Sequence, residues 1–223
     1  MDQYNPLDKR NLGRSVAEAL LERNLVTLPS SESRDRFVGA GVYAIYYFGV
    51  NSPFPPYKQL ADHNNQNEDL IPIYVGKAIP EGARMAGVGL DAPAGTALFN
   101  RLRQHGNSIR AAANLDLNDF KCRFLLVDDI WIPLGESLLI QRFRPIWNVL
   151  VDGFGNHDPG SGRSNQQRSA WDTIHSGRDW AERLPNPNQA TSEEIMRQIE
   201  RFLLGETVPT IPILEAMTDE GEC

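Results

Sequence analysis

Five polar side chains, far apart along the chain, carry functional groups suited to chemistry on an anionic substrate. They are Tyr43, Tyr74, Arg101, His105 and Glu136. A glutamate on an apolar helix face needs a cation, such as a metal ion or an arginine, to compensate for its burial. A guanidinium presents forked donors to an anion, and an imidazole can accept a proton from a phenol. Together these groups could bind a cation, stabilise negative charge and transfer a proton.

Each of these residues also has an ordinary structural interpretation when it is considered alone. Glu136 is predicted in the first turn of a helix, where the helix dipole stabilises an acid. Arg101 and His105 are four residues apart and could form a solvated helix face. Tyr43 and Tyr74 could lie in strands with their hydroxyls at a wet edge. The interpretation as a site therefore depends on the elements that carry these residues and on their order.

Hydrophobic periodicity predicts four helices and three strands. The helices cover residues 15–24, 96–105, 133–144 and 192–204, and the strands cover residues 41–48, 71–76 and 120–127. Ser15 and Ser192 are placed to begin the first and last helices, and Pro133 and Pro145 bracket the third. This order predicts an α+β fold in which a small, mainly antiparallel three-stranded sheet is flanked by helices.

Three segments between these elements have the composition of loops. Residues 49–70 are rich in Pro, Asn and Asp and separate two strands that would otherwise form a hairpin. Residues 78–95 are glycine-rich, which predicts irregular structure. Residues 148–184 form a long polar segment of the kind that is usually functional or disordered. Trp171 and Trp180 argue against disorder there.

Length and composition predict one compact, cytoplasmic domain. The chain has 223 residues and two cysteines, without zinc-ligand spacing, and Cys122 fits an apolar strand pattern. No run of eighteen apolar residues and no signal-peptide core is present. Of the net charge of −7, residues 191–223 carry −6, whereas residues 77–110 carry +3. The body of the protein is therefore compatible with a nucleic-acid partner.

The order of the candidate residues resembles that of the GIY-YIG nuclease family. The resemblance covers roughly residues 40–150. Its elements are Gly41-Val42-Tyr43, Tyr74-Val75-Gly76 followed by Lys77, Arg101 with His105 one turn later, Glu136, and Pro145-Ile146-Trp147-Asn148. Each short motif is degenerate by itself, but five elements in order are specific.

The spacing is similar to that of the type II restriction endonuclease branch of this family. Tyr74 follows Tyr43 by thirty-one positions along the chain, where other members use a short turn. The stretches NPLDKRNLG, YVGKAIPEGAR and GNHDPGSGR are similar to the enzymes that cut CCGCGG. The resemblance implies a bacterial, cytoplasmic enzyme that hydrolyses double-stranded DNA at a short palindromic GC-rich site.

The resemblance also implies roles for individual residues. Glu136 would hold one Mg²⁺, with Mn²⁺ as a substitute, and Arg101 would stabilise the transition state. Tyr43 would orient or deprotonate the attacking water, and His105 would take the proton from that phenol. The remaining roles are phosphate binding or water positioning by Tyr74 and Lys77, and orientation of Tyr43 or Glu136 by Asn148.

Base recognition is expected in the polar segment after the nuclease core. Arg163, Arg168 and Arg178 are the candidate DNA-binding arginines, because arginine pairs with guanine, although they could instead pair with Asp158, Asp172 or Asp179. A palindromic site predicts a homodimer. The expected organisation is a helical arm at 1–40, a nuclease core at 41–150, and a recognition region with a C-terminal helix and acidic tail at 151–223.

Two other functions fit the same residues. One is a repair or homing nuclease of the same family, which would act on branched DNA or long sites. The other is an α+β module that binds nucleic acid without cleaving it. The combination of Glu136, Arg101 and the two strand tyrosines favours an enzyme over a binding module.

Overall fold

The computed structural model describes residues 5–79, 95–158 and 165–211, which form an α+β fold. Its strands are β1 (Val26–Thr27), β2 (Gly41–Tyr47), β3 (Tyr74–Ala78) and β4 (Phe120–Leu126). Its helices are α1 (Lys9–Leu21), α2 (Lys58–Gln66), α3 (Ala97–Ala111), α4 (Ile132–Phe143), α5 (Ile146–Val149), α6 (Ala170–Ile174), α7 (Asp179–Glu182) and α8 (Ser192–Leu203). None of the helices in these ranges has both the length and the apolar character to cross a membrane.

The strands form one antiparallel sheet in the order β1-β4-β2-β3. The sequence predicts three strands, and the fourth is β1, which pairs Val26 with Cys122 and Thr27 with Lys121. A strand of two residues is too short to produce an alternating pattern, so its pairing is decided by tertiary contacts. The N-terminal segment is therefore part of the sheet as well as a helical arm.

Strand β2 lies at the centre of the sheet, and all seven of its residues are buried. Its side chains alternate between two apolar clusters. Tyr43 and Ile45 face a cluster that contains Leu98 and Leu102 of α3, while Val42 faces a cluster that contains Leu139 of α4. Because helices cover both faces of the sheet, a strand with aromatic residues on either side can be buried completely.

Two helix starts differ from the sequence prediction. Helix α1 begins at Lys9 with Asp8 as its cap, so Ser15 lies inside the helix. Helix α8 is capped by Thr191, whose side chain forms a reciprocal capping box with Glu194, rather than by Ser192. In each case a residue upstream of the predicted start accepts a backbone N–H of the first turn.

The insertion between the two motif strands is ordered. Residues 49–70 contain a short 3₁₀ turn at Pro55–Tyr57 and helix α2. The Asn64 amide joins both strand ends, since it donates to the carbonyls of Tyr47 and Ile71 and accepts from the Ile71 N–H. The insertion thereby closes the gap between β2 and β3 while leaving them paired, which is why the long spacing does not disrupt the sheet.

Candidate active site

Strands β2 and β3 bring the two motif tyrosines together. Tyr43 pairs with Gly76 across the ladder, and the Tyr43 and Tyr74 rings lie 6.2 Å apart. A Cβ atom at Gly76 would stand 2.4 Å from the Tyr43 hydroxyl and 2.9 Å from the Tyr74 ring. Residue 76 must therefore lack a side chain if the Tyr43 phenol is to lie over β3.

The Tyr43 hydroxyl is joined to Nε2 of His105 by a buried hydrogen bond of 2.7 Å. Helix α3 places His105 one turn after Arg101, so both side chains approach the tyrosines from one helix face. The ring of Phe154 stacks on the imidazole with centroids 4.5 Å apart. Both residues of the pair are almost completely buried, so their hydrogen bond is shielded from bulk water.

Burial keeps the members of this pair neutral. It raises the pKa of Tyr43 well above its usual value, an effect reinforced by Tyr74 and opposed by Arg101. Burial also lowers the pKa of His105 well below its usual range, and the Arg101 charge lowers it further. A neutral imidazole beside a protonated phenol is an arrangement that can accept a proton.

The Arg101 guanidinium is held by the segment that follows the core. Its Nη2 donates to the Gly155 carbonyl at 3.0 Å, and its Nη1 donates to Nε2 of His157. Burial, followed by the Arg101 charge, lowers the pKa of His157, which favours the neutral acceptor form. The sequence groups His157 with a polar segment but does not indicate this contact, because 56 residues separate the two partners.

Glu136 forms an ion pair with Lys77, whose Nζ lies 2.6 Å from Oε2. The Glu136 side chain is 18% exposed, and that of Lys77 is 35% exposed. The prediction that Glu136 lies in the first turn of its helix is wrong, because α4 begins at Ile132 and has no acid in that turn. In this structure the positive charge of Lys77, and not the helix dipole, therefore compensates for the burial of Glu136.

The two halves of the site meet at β3. The side chains of Tyr74 and Ala78 face the cluster that contains Tyr43, whereas Val75 faces the opposite cluster. Arg101 and Glu136 both influence the pKa of Tyr74, which burial raises, Arg101 lowers and Glu136 raises. The same two charges act in the same senses on Tyr43. The two tyrosines therefore lie within the influence of both Arg101 and Glu136.

Asn148 has a different contact from the one predicted. Its amide accepts the Val75 N–H at 2.8 Å and donates to the Val75 carbonyl at 2.8 Å. The backbone N–H of the neighbouring Trp147 donates to the Ile73 carbonyl. Asn148 therefore satisfies the free edge of β3 as a further strand would, and it orients Tyr74 and Lys77 through the backbone rather than by contacting Tyr43 or Glu136.

The candidate DNA-binding arginines have three different settings. Arg163 lies outside the described residues. Arg168 is partly exposed and lies 3.5 Å from a Glu182 carboxylate oxygen. Arg178 is buried, and its Nε lies 2.6 Å from Oδ1 of Asp172. Its guanidinium is therefore not exposed for contact with DNA. The alternative of pairing with a nearby aspartate holds for Arg178, because the chain returns at α6 and α7 and brings the two groups together.

Glu136 is the residue of this site that could hold a divalent cation. Glu136 offers one hard carboxylate that is already matched with a positive charge. Among the described residues no group of three or more His, Cys, Asp or Glu side chains is placed to hold a metal. A single carboxylate fits Mg²⁺, which usually keeps several of its waters.

Comparison with known protein families shows the family to which the chain belongs. The model of the Eco29kI GIY-YIG domain matches residues 35–203. The match extends beyond residues 40–150, where the motif resemblance lies, and includes the segment that contacts Arg101. No curated protein matches the chain. Because the family model covers most of its length, the chain belongs to the Eco29kI GIY-YIG domain family of type II restriction endonucleases and is a nuclease of the restriction type.

Proposed function

We propose that the protein is a site-specific type II restriction endonuclease that uses a divalent cation to hydrolyse double-stranded DNA at a short palindromic GC-rich site, CCGCGG. The observation that supports this proposal is a buried Tyr43–His105 pair that lies within the influence of two charges. The charges of Arg101 and of Glu136, the partner of Lys77, both act on the pKa of Tyr43 and of Tyr74. Phosphodiester hydrolysis needs deprotonation of water and stabilisation of extra phosphoryl charge. The site has groups for both tasks.

Proton removal is assigned to the Tyr43–His105 pair. The high pKa of Tyr43 disfavours a phenolate, so Tyr43 would accept the water proton only as it passes its own to His105. His105 is neutral at neutral pH because burial and Arg101 lower its pKa. The imidazolium that forms would be balanced by the negative charge that develops on the phosphate.

Stabilisation of the negative charge on the phosphate is assigned to Arg101 and Lys77. The Arg101 guanidinium lies near the Tyr74 hydroxyl, because a Cβ atom placed on Gly155 would be 3.0 Å from Arg101 Nη2 and 3.0 Å from the Tyr74 hydroxyl oxygen. The forked donors of the guanidinium suit a phosphate at this position. Glu136 would hold the divalent cation, which would supply Lewis-acid stabilisation of the phosphoryl oxygens and of the leaving alkoxide until that alkoxide takes a proton from solvent. Lys77, once separated from Glu136, would be available to bind a phosphate.

Base recognition and dimer formation are part of the same proposal. Arg168 remains a candidate for guanine recognition because its side chain is 26% exposed and only weakly paired. Arg163 is retained on its sequence position alone. A palindromic site is read most simply by a homodimer with one active site in each subunit. Sedimentation of the protein with a cognate duplex should give two chains per site, and one chain per site would overturn this part.

Digestion of plasmid DNA with MgCl₂ or with EDTA tests the proposed activity. We expect discrete fragments from a plasmid with CCGCGG sites in the presence of magnesium, and none with EDTA. Glu136→Gln keeps the volume of the side chain but removes its charge, so the cleavage rate should fall more than about 100-fold. Glu193→Gln, on the exposed first turn of α8, is the matched control and should cleave normally.

Two results would contradict the proposal. Retained cleavage by folded Glu136→Gln would remove the carboxylate from the mechanism. Nicking of branched DNA in preference to the palindromic duplex would instead favour a repair-type nuclease.

A further inference from the structure

The Asp172–Arg178 ion pair is almost completely buried. The exposed fractions are 2% for Asp172 and 5% for Arg178, and Arg178 Nε lies 2.6 Å from Asp172 Oδ1. The second carboxylate oxygen accepts the Ser169 hydroxyl at 2.6 Å. Burial of two charges costs desolvation energy, so a pair of this kind contributes less to stability than its short distance suggests. Its contacts indicate a positional role.

Arg178 uses its remaining donors on backbone carbonyls of a single segment. Its Nη2 donates to Gly153 at 3.0 Å, and its Nη1 lies 3.3 Å from the carbonyls of both Phe154 and Asn156. The Trp171 and Trp180 rings lie 4.4 and 4.8 Å from the guanidinium carbon. The planar fork is thus fixed in direction by Asp172 and by two indoles.

The segment held in this way, residues 153–157, forms one wall of the candidate active site. Its Gly155 carbonyl and His157 imidazole accept hydrogen bonds from the Arg101 guanidinium. Its Phe154 ring stacks on His105 and meets the Tyr74 ring edge-on, with centroids 4.9 Å apart. The segment therefore connects the buried ion pair to the side chains that carry the proposed chemistry.

We propose that the Asp172–Arg178 pair is a positioning device that fixes the 153–157 segment and thereby aims the guanidinium of Arg101. The mechanistic part rests on the proposed nuclease function. Arg178 does not touch substrate in this arrangement. It fixes three carbonyls of the segment, and the Gly155 carbonyl between them receives Arg101. A lysine at 178 could neutralise Asp172 but could not reach all three carbonyls.

Arg178→Lys separates this positioning role from simple stabilisation, because it keeps the charge of the pair and removes the fork. Arg178→Gln removes both. Arg183→Gln is the matched control, since Arg183 lies in the same region but is 69% exposed, with a 3.5 Å contact to Asp158. Urea unfolding gives the folded fraction of each variant. Should Arg178→Gln fail to fold, Arg178→Lys still decides the outcome.

Amide hydrogen exchange measures segment position without any need for cleavage. We expect the Asn156 N–H, which donates to Gly153, to exchange at least about tenfold faster in Arg178→Lys and at the native rate in Arg183→Gln. Native exchange in a folded Arg178→Lys protein would overturn the proposal. If the wild-type protein does not cleave DNA, the nuclease function fails while this measurement still judges the positioning role.

Single-turnover cleavage tests the connection to Arg101. Arg178→Lys should lower the rate per folded molecule by about 10- to 100-fold, with DNA affinity within about threefold of native. In an Arg101→Lys background the same change should cost less than about threefold, because the group that it positions is already altered. If the double variant instead loses rate by the product of the two single-variant losses, the effects of Arg178→Lys and Arg101→Lys are independent, and the pair does not act through Arg101.

Discussion

Substitution of Gly76 by alanine should disable the site while the fold survives. The new Cβ would stand 2.4 Å from the Tyr43 hydroxyl oxygen and 2.6 Å from its Cζ, whereas ordinary contact begins at 3.4 Å. The ring must therefore move by about 1 Å in a closely packed core. That movement takes the Tyr43 hydroxyl out of the position in which it forms the 2.7 Å hydrogen bond to His105, so the geometry of this bond is lost.

The magnitude of the effect follows from this displacement. Overpacking of this kind costs about 1–3 kcal/mol of folding free energy. A misplacement of about 1 Å in a reacting group lowers a rate by about 100-fold. Gly76→Ala should therefore remain folded at moderate temperature, bind DNA with near-native affinity, and cleave about 100-fold more slowly in single-turnover experiments.

Gly49→Ala is a matched control for this prediction. A Cβ there would stand 2.5 Å from the Tyr47 hydroxyl and 2.3 Å from Asp119 Oδ2, so it also crowds a phenol of β2, but outside the site. We expect a similar loss of stability and a rate per folded molecule within about threefold of native. A folded Gly76→Ala protein that cleaves as fast as Gly49→Ala would refute the argument that the Tyr43 hydroxyl must lie over β3.

Two further predictions concern stability. Asn148→Ala leaves the Val75 N–H and carbonyl without their 2.8 Å partners and should lower the free energy of unfolding by about 2–4 kcal/mol, measured by urea titration, whereas Asn148→Asp, which keeps one acceptor, should retain part of it. His175 is hydrogen-bonded to Tyr57 and Asn114, and burial lowers its pKa to about 3. The stability that the neutral His175 provides is complete above the pKa of the unfolded state and is lost as the pH falls toward the pKa of the folded state. Acidification from pH 7 to pH 5 should therefore lower the free energy of unfolding by about 2 kcal/mol more in the native protein than in His175→Gln. Equal slopes for the two proteins would contradict this assignment.

The sequence determined the local elements and the identity of the reactive groups. Alternation and capping predicted β2, β4, α4 and α8 close to their observed bounds, because their apolar periodicity is uninterrupted. The start of α3 was predicted within one residue, but the helix continues to Ala111, six residues beyond the predicted end. The order of Tyr43, Tyr74, Arg101, His105 and Glu136 indicated the family, because that order does not depend on the lengths of the segments between them.

Only the tertiary structure decided which partner each group has. Lys77 rather than the helix dipole compensates Glu136, the Asn148 amide binds a strand edge, and Arg178 is buried against Asp172 rather than offered to DNA. These pairs join residues on different elements, and one-dimensional periodicity contains no information about which elements meet. The position of the 153–157 segment is decided in the same way, because its contacts with Arg101 and Arg178 form only when the sheet, α3 and α6 have packed together.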